Sequence, residues 1–245
     1  MNDAIAPIEP PGLRPIVRNL IRGCNRAALA TTLAGEQRPY VSLVTVATDV
    51  DGSPLLLLSR LADHTRNIDG DAQVSLLFDG TEGYANPQQG PRVTVVGRIE
   101  HCNDPRVSRR FLARHPGAAL YAGFADFAFY RVALERIHWV GGFARAIWLD
   151  GELTAAAPAV AAFAEAEPAL VEEINARLAP KLDLLAQRLL KRRGKDWKAV
   201  AVDPDGVDLA KGKTVLRLAF PTALDRVEDI LPTLATLADG ETSQT

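Results

Sequence analysis

Between two apolar runs lies the segment "LSRLADHTRNIDGDAQVSLLF", Leu58 to Phe78, which gathers Ser59, Arg60, His64, Thr65, Arg66 and Asn67 into one short polar stretch. Hydroxyls, guanidinium forks and the first N–H groups of a short helical connector suit a phosphate. The fork makes paired charge-assisted hydrogen bonds, the hydroxyls meet the remaining oxygens, and the helix start adds partial positive charge. The competing reading is a solvated helix face with its N-cap, because no glycine-rich phosphate loop accompanies the cluster.

The elements around the cluster set where it can sit. "AALATTLA", "YVSLVTVATDV" and "PLLLLS" are rich in Val, Leu and Thr and are separated by the turn signals "GEQRP" and "DGSP", which predicts successive antiparallel strands. "AQVSLLFDG", "GPRVTVVGRIEHC" and "FAFYRVALERIHWVGGF" continue the series. In "VSLVTVAT", Ser42, Val44, Val46 and Thr48 share one face and Leu43, Thr45 and Ala47 the other. Neither face is strongly polar, as expected where a sheet curls on itself and both surfaces are partly covered. Ile16, Leu20 and Ile21 predict an amphipathic helix before the strands, and Asp104 followed by Pro105 predicts an N-cap and N1 pair opening "PRVSRRFLARHP". Residues 1–150 therefore read as an α+β domain, a six-stranded antiparallel barrel with flanking helices.

Beyond it the composition turns rich in Ala and Pro, "GELTAAAPAVAAFAEAEP", which predicts a boundary segment. Val171, Ile174, Leu178, Leu182, Leu185 and Leu189 then mark an amphipathic helix with Gly194 as its stop. "WKAVAVD", the turn "PDG" and "KTVLRLAF" predict a hairpin, followed by a terminal helix from about Thr222 that Pro232 should kink or divide. Residues 163–240 thus read as a small helix-hairpin-helix domain.

Of the 245 residues 47% are hydrophobic, enough for a substantial core, and a net charge of only -2 gives no global attraction to nucleic acid or an acidic membrane. Cys24 and Cys102 stand alone without a CxxC, so neither a zinc site nor a disulfide framework is expected, and a reducing cytoplasm fits. No basic start precedes an apolar h-region, and no run of ~18 apolar residues occurs, so no membrane association is expected. Trp139, Trp148 and Trp197 read as core or interface residues, and the basic run Lys191 to Lys195 as a solvated helix end.

The order "HTRN", "RVTVVGR", "DFAFYR" and "GGFARA", from about residue 25 to about residue 150, resembles the FMN-binding split-barrel superfamily related to pyridoxamine 5'-phosphate oxidase, and within it the haem-utilisation branch. The C-terminal part resembles a small domain of unknown function attached in that branch. The resemblance implies a six-stranded split barrel that forms a homodimer with FMN in a groove between subunits. It implies Ser59, His64, Thr65, Arg66 and Asn67 at the flavin phosphate and ribityl chain, and Ser42, Val44 and Thr45 along the isoalloxazine ring. It implies Arg92, Thr94 and Arg98 reaching the ring edge or phosphate from the partner subunit. The expected activity is an FMN-dependent oxidation or reduction of an unidentified small molecule; no acid-base pair marks catalytic residues.

The chain also departs from its relatives. The aromatic, Arg-containing tail of a pyridoxamine phosphate oxidase does not follow "WVGGFARAIWLD", and Ala144 stands where relatives carry glycine. In the C-terminal part Asn175 is kept while Glu173 and Leu178 occupy histidine positions of the branch. His64, His101, His115 and His138 are isolated in sequence and read as hydrogen-bonding residues, so no metal site and no clear axial ligand for haem emerge. Two alternatives to the flavoenzyme stay open: a haem-binding or haem-degrading utilisation protein on the same barrel, and a non-catalytic dimeric binding module.

Overall fold

The structure, a computed structural model, describes residues 9–142, 145–153 and 157–240. Its elements run α1 (Leu13–Gly23), β1 (Arg26–Thr32), β2 (Pro39–Thr45), β3 (Ala47–Thr48), β4 (Pro54–Ser59), α2 (Asp63–Gly70), β5 (Gln73–Asp79), β6 (Arg92–His101), α3 (Pro105–Arg114), β7 (Phe127–Val140) and β8 (Ala146–Asp150). They continue as α4 (Ala157–Arg188), β9 (Lys198–Asp203), β10 (Gly206–Lys211), β11 (Thr214–Ala219) and α5 (Ile230–Asp239).

The first eight strands form one antiparallel sheet in the order β2-β1-β5-β6-β7-β4-β3, with β8 also paired to β7. The expected count of six is corrected to eight. Two-residue β3 is too short to show a period, and β8 pairs with the far half of β7, whose near half already holds β4. The sheet curls into a half-barrel around Leu29, Leu56, Leu76, Phe78, Val93, Val95 and Ile137, all fully buried. Alternation explains this core: β6 buries Val93, Val95, Gly97 and Ile99 and turns Arg92, Thr94, Val96 and Arg98 the other way. Each large apolar side chain so buried contributes about 1.5–3 kcal/mol. α1 closes one side with Val17 and Ile21. The run "LLLL" in β4 does not alternate because Leu56 and Leu58 face the barrel while Leu55 and Leu57 face Phe111 and Val107 of α3. Asp104 caps α3 as expected, accepting a hydrogen bond from the Arg106 amide at 2.8 Å.

After the barrel, α4 and α5 pack on the three-stranded sheet β11-β10-β9 through Phe163, Ile174, Leu182, Leu185, Val207 and Ile230. Helix α4 starts at Ala157, inside the Ala- and Pro-rich segment, and runs through Pro168 and Pro180. The two expected strands, β9 and β11, both pair with β10, which lies between them. One expectation is corrected. The terminal helix starts at Ile230, which puts Pro232 in its first turn, where a missing N–H is no loss.

A buried ionic layer joins this C-terminal part to the barrel. Arg18 and Arg22 of α1 bind Asp205 at 2.8 and 2.9 Å, and Arg110 of α3 binds Asp203 at 3.1 Å and also Glu167. Arg217 of β11 holds Asp203 at 2.6 Å, and Arg114 meets Asp208 at 3.3 Å. Among the described residues no helix is long and apolar enough to cross a membrane.

Candidate functional site

Strand β4 ends at Ser59, and the chain turns at once into α2, where local hydrogen bonds set each side chain's direction. The Ser59 hydroxyl donates to Asp126 at 2.7 Å and accepts from the Leu61 amide at 3.1 Å, so it shapes the turn. Thr65, fully buried, donates its hydroxyl to the Ser59 carbonyl at 2.7 Å. Asn67 donates to Thr31 at 2.9 Å and accepts from the Ala34 amide at 3.0 Å, which ties α2 to β1 and the loop after it. Arg66 points to solvent and pairs with Asp63 at 2.6 Å, with both side chains 60% exposed. Of the expected phosphate set, Ser59, Thr65 and Asn67 therefore have their polar atoms engaged within the chain.

Held by these bonds, α2 places His64 against β2, the free edge of the sheet. His64 Nδ1 lies 3.1 Å from Ser42 Oγ. Burial pushes the imidazole below its ordinary range, opposed by the charge of Asp63, so the ring is neutral near pH 7. In the tautomer with its proton on Nδ1, that nitrogen donates to Ser42, and Nε2, which has no partner among the described residues, keeps its lone pair. This is the arrangement of a metal-ligating histidine oriented by a second group. The pair spans 22 positions of sequence. A polar residue on the inward side of a strand was its signal, and only docking of α2 completes it.

The other expected residues divide between the two surfaces of the sheet. Val44 is in the core. Thr45 is exposed at the end of β2. Arg92 is folded back on the carbonyls of Gln88 and Gly90 at 3.3 and 3.2 Å, and Arg98 is exposed near Glu100 at 3.8 Å. Thr94 lies on the outer face between Leu77 and His138. Within one chain, Arg92, Thr94 and Arg98 thus belong to the outer face, while Ser42 and His64 belong to the inner side of its edge.

That outer face is apolar to a degree that sequence inspection did not isolate. Cross-strand register lines up Leu43, Ala28, Leu77, Thr94, His138 and Trp148. Leu43 is 73% exposed, Val41 61% and Trp148 49%. Trp148 carries His138 stacked at 4.6 Å and the Arg136 guanidinium at 4.4 Å. A cleft of about 970 Å³ opens beside this row against α1, with Ala28, Leu43 and Leu77 as floor and Cys24 and Arg26 on its walls. An adjoining recess of about 290 Å³ shares Leu43 and Arg26 and reaches Thr45 and His115. Gly142 has a φ of 121°, a positive-φ turn after the end of β7, and Ala144 lies outside the described residues.

Comparison with known proteins follows this geometry. A family model described as CREG, beta-barrel matches residues 15–153. By sequence the chain is similar to "Non-canonical heme oxygenase HOZ, chloroplastic" of Arabidopsis thaliana, 31% identical over 142 residues that make up 56% of this chain and 43% of that protein. The chain thus spans less than half the length of that curated relative. In structure it is similar to protein Atu2129, of unknown function, from Agrobacterium tumefaciens, with a TM-score of 0.75, 26% identity and coverage of 96% of this chain and 100% of the other. The heme binding protein from Mycobacterium smegmatis shares the fold at a TM-score of 0.56 and 23% identity, covering 95% of this chain and 98% of the other.

Proposed function

Because the chain belongs, over residues 15–153, to the CREG β-barrel family, we propose that it is a haem-binding protein of the split-barrel fold that takes part in haem use or breakdown. The sequence relation to a heme oxygenase supports the ligand class and raises this reading above the flavin oxidoreductase expected from sequence. Within the chain, the observation that carries it is His64: a neutral imidazole at a free sheet edge, oriented through Nδ1 by Ser42. Haem asks for a neutral nitrogen ligand at its iron. His64 would supply it with Ser42 orienting the imidazole, while Leu43 and Arg26 lie on the opposite face of the sheet and would not line the same pocket. When bound, haem would supply the redox-active iron, and Ser42 would hold the His64 imidazole in orientation.

Titration with haemin is expected to give a saturable Soret band. His64→Ala should weaken binding by more than tenfold, and Ser42→Ala by about tenfold through loss of imidazole orientation. Unchanged affinity in His64→Ala would remove it as the ligand. The flavin reading keeps one point in its favour, that Arg66 and Arg98 are exposed and paired only with exposed carboxylates, so both are free to exchange onto a phosphate. FMN binding without haemin binding would restore it.

The outer face supports a homodimer, since Val41, Leu43, Leu77 and Trp148 stand exposed on it. Leu43→Arg, at a 73% exposed position, should leave the fold intact and shift sedimentation from dimer to monomer. A wild-type monomer at micromolar concentration would sink the dimer. The free thiols Cys24 and Cys102 support a reducing, cytoplasmic setting.

A further inference from the structure

At the end of the barrel away from Ser42, between the C-terminal half of α2 and the paired ends of β6 and β7, a second cleft of about 500 Å³ opens. Its floor is the barrel core itself, with the nearly buried Ile68 and Ile99 and with Ala128 lining the bottom. Tyr130 lines it while being only 7% exposed. Its hydroxyl makes no hydrogen bond among the described residues and is not among the sealed, unpartnered atoms, so it opens into the cleft. A phenol left dry at its ring and unpaired at its oxygen is a group that a ligand would satisfy. His101 stands edge-on to the ring at 5.7 Å.

Two opposite charges flank that hydroxyl. Arg60 is tied across the opening by a hydrogen bond to the Ala125 carbonyl at 2.6 Å, and Asp69 stands on α2 opposite it. Neither has an ion-pair partner among the described residues, although both line the same cleft. Both line the cleft together with Tyr130, where burial raises the phenol's pKa, Asp69 adds to the rise and Arg60 opposes it. An unpaired cation and an unpaired anion around an apolar floor complement a molecule with the reverse arrangement.

We infer that the mouth of the barrel is a binding site for a small zwitterion with an apolar body, of the α-amino-acid class. The carboxylate meets Arg60, the ammonium meets Asp69, the apolar side chain rests on Ile68 and Ile99, and the Tyr130 hydroxyl closes the remaining hydrogen bond. This site does not depend on the haem reading, and no residue is shared with it.

The test is calorimetric titration of the full chain with L-phenylalanine, L-phenylalaninamide and N-acetyl-L-phenylalanine. The amide lacks the carboxylate and the acetyl derivative lacks the ammonium. Saturable binding of the amino acid at low-millimolar or tighter affinity is expected, with loss of about tenfold or more for each derivative. Arg60→Gln and Asp69→Asn, both at exposed positions, should each remove the preference that its charge creates. Tyr130→Phe, which keeps the buried ring, should weaken all three. Absence of saturation for the amino acid, or equal binding of the three probes, would overturn the inference.

Discussion

Asp203→Asn is expected to lower the unfolding free energy by about 3–5 kcal/mol at pH 7, because it orphans buried guanidinium groups. Asp203 is fully buried and receives Arg22 at 3.2 Å, Arg110 at 3.1 Å and Arg217 at 2.9 and 2.6 Å. Arg22 and Arg110 keep other partners, among them the carbonyls of Val50 and Val202. Among the described residues Arg217 keeps only the distant Asp208 at 3.6 Å, and its Nε has no partner there. Desolvation offsets much of the attraction in such a layer, so the loss comes from the charges left behind rather than from a large net gain in the native state.

The pH dependence follows from the same contacts. Burial opposes ionisation of Asp203, but Arg217, Arg22 and Arg110 outweigh it and hold the carboxyl far below its ordinary value. A depressed folded pKa means the contribution is complete above the ordinary value of ~3.9 and is lost as pH falls toward the folded one. Urea unfolding of wild type and Asp203→Asn should therefore differ most near neutrality and converge in acid. Glu167, in the same layer, has the opposite shift: burial raises it and Arg110 only partly compensates. Its ionisation disfavours the folded state, so stability declines as pH rises from the ordinary ~4.3 through the raised value. Glu167→Gln should cost less at pH 7 than Asp203→Asn. A gap for Asp203→Asn that stays constant from pH 7 into acid would contradict the assignment.

The second large effect is expected at Gly97. A Cβ there would lie 2.1 Å from the Ala133 carbonyl oxygen and 3.1 Å from its carbon, backbone atoms with no freedom to withdraw. The glycine sits where β6 shifts register against β7 between Val96 and Gly97, a bulge that brings the two strands together at the centre of the sheet. Gly97→Ala should force them apart and cost about 3 kcal/mol. For a chain of this size that corresponds to a Tm drop on the order of 6–12 °C. A Tm within ~2 °C of wild type would show that β7 yields without strain.

How much of this was legible before folding differs by element. The composition and turn signals around "RVTVVGRIE" and "AQVSLLF" identified β6 and β5 as strands, because such signals are local. The Asp104–Pro105 start of α3 was legible for the same local reason. Two-residue β3 offers no period, and only the part of α4 from Val171 onward was legible, since its Ala- and Pro-rich start lacks an apolar period although Phe163 packs it into the core. The turn "PDG" was legible as a turn, yet Asp203 and Asp205 on either side of Pro204 are the carboxylates that four arginines from three other elements surround.

The site shows the same division. The sequence by itself determined which polar groups cluster near α2, where the strands of the half-barrel lie, and that Leu43 and Thr45 share a face opposite to Ser42 and Val44. Only the tertiary structure decided that Thr65 and Asn67 turn inward, that His64 meets Ser42, and that Tyr130 opens between Arg60 and Asp69. Periodicity is imposed by backbone geometry over a few residues, whereas a polar group's partner depends on how distant elements dock, and one rotation of α2 would exchange every one of those contacts.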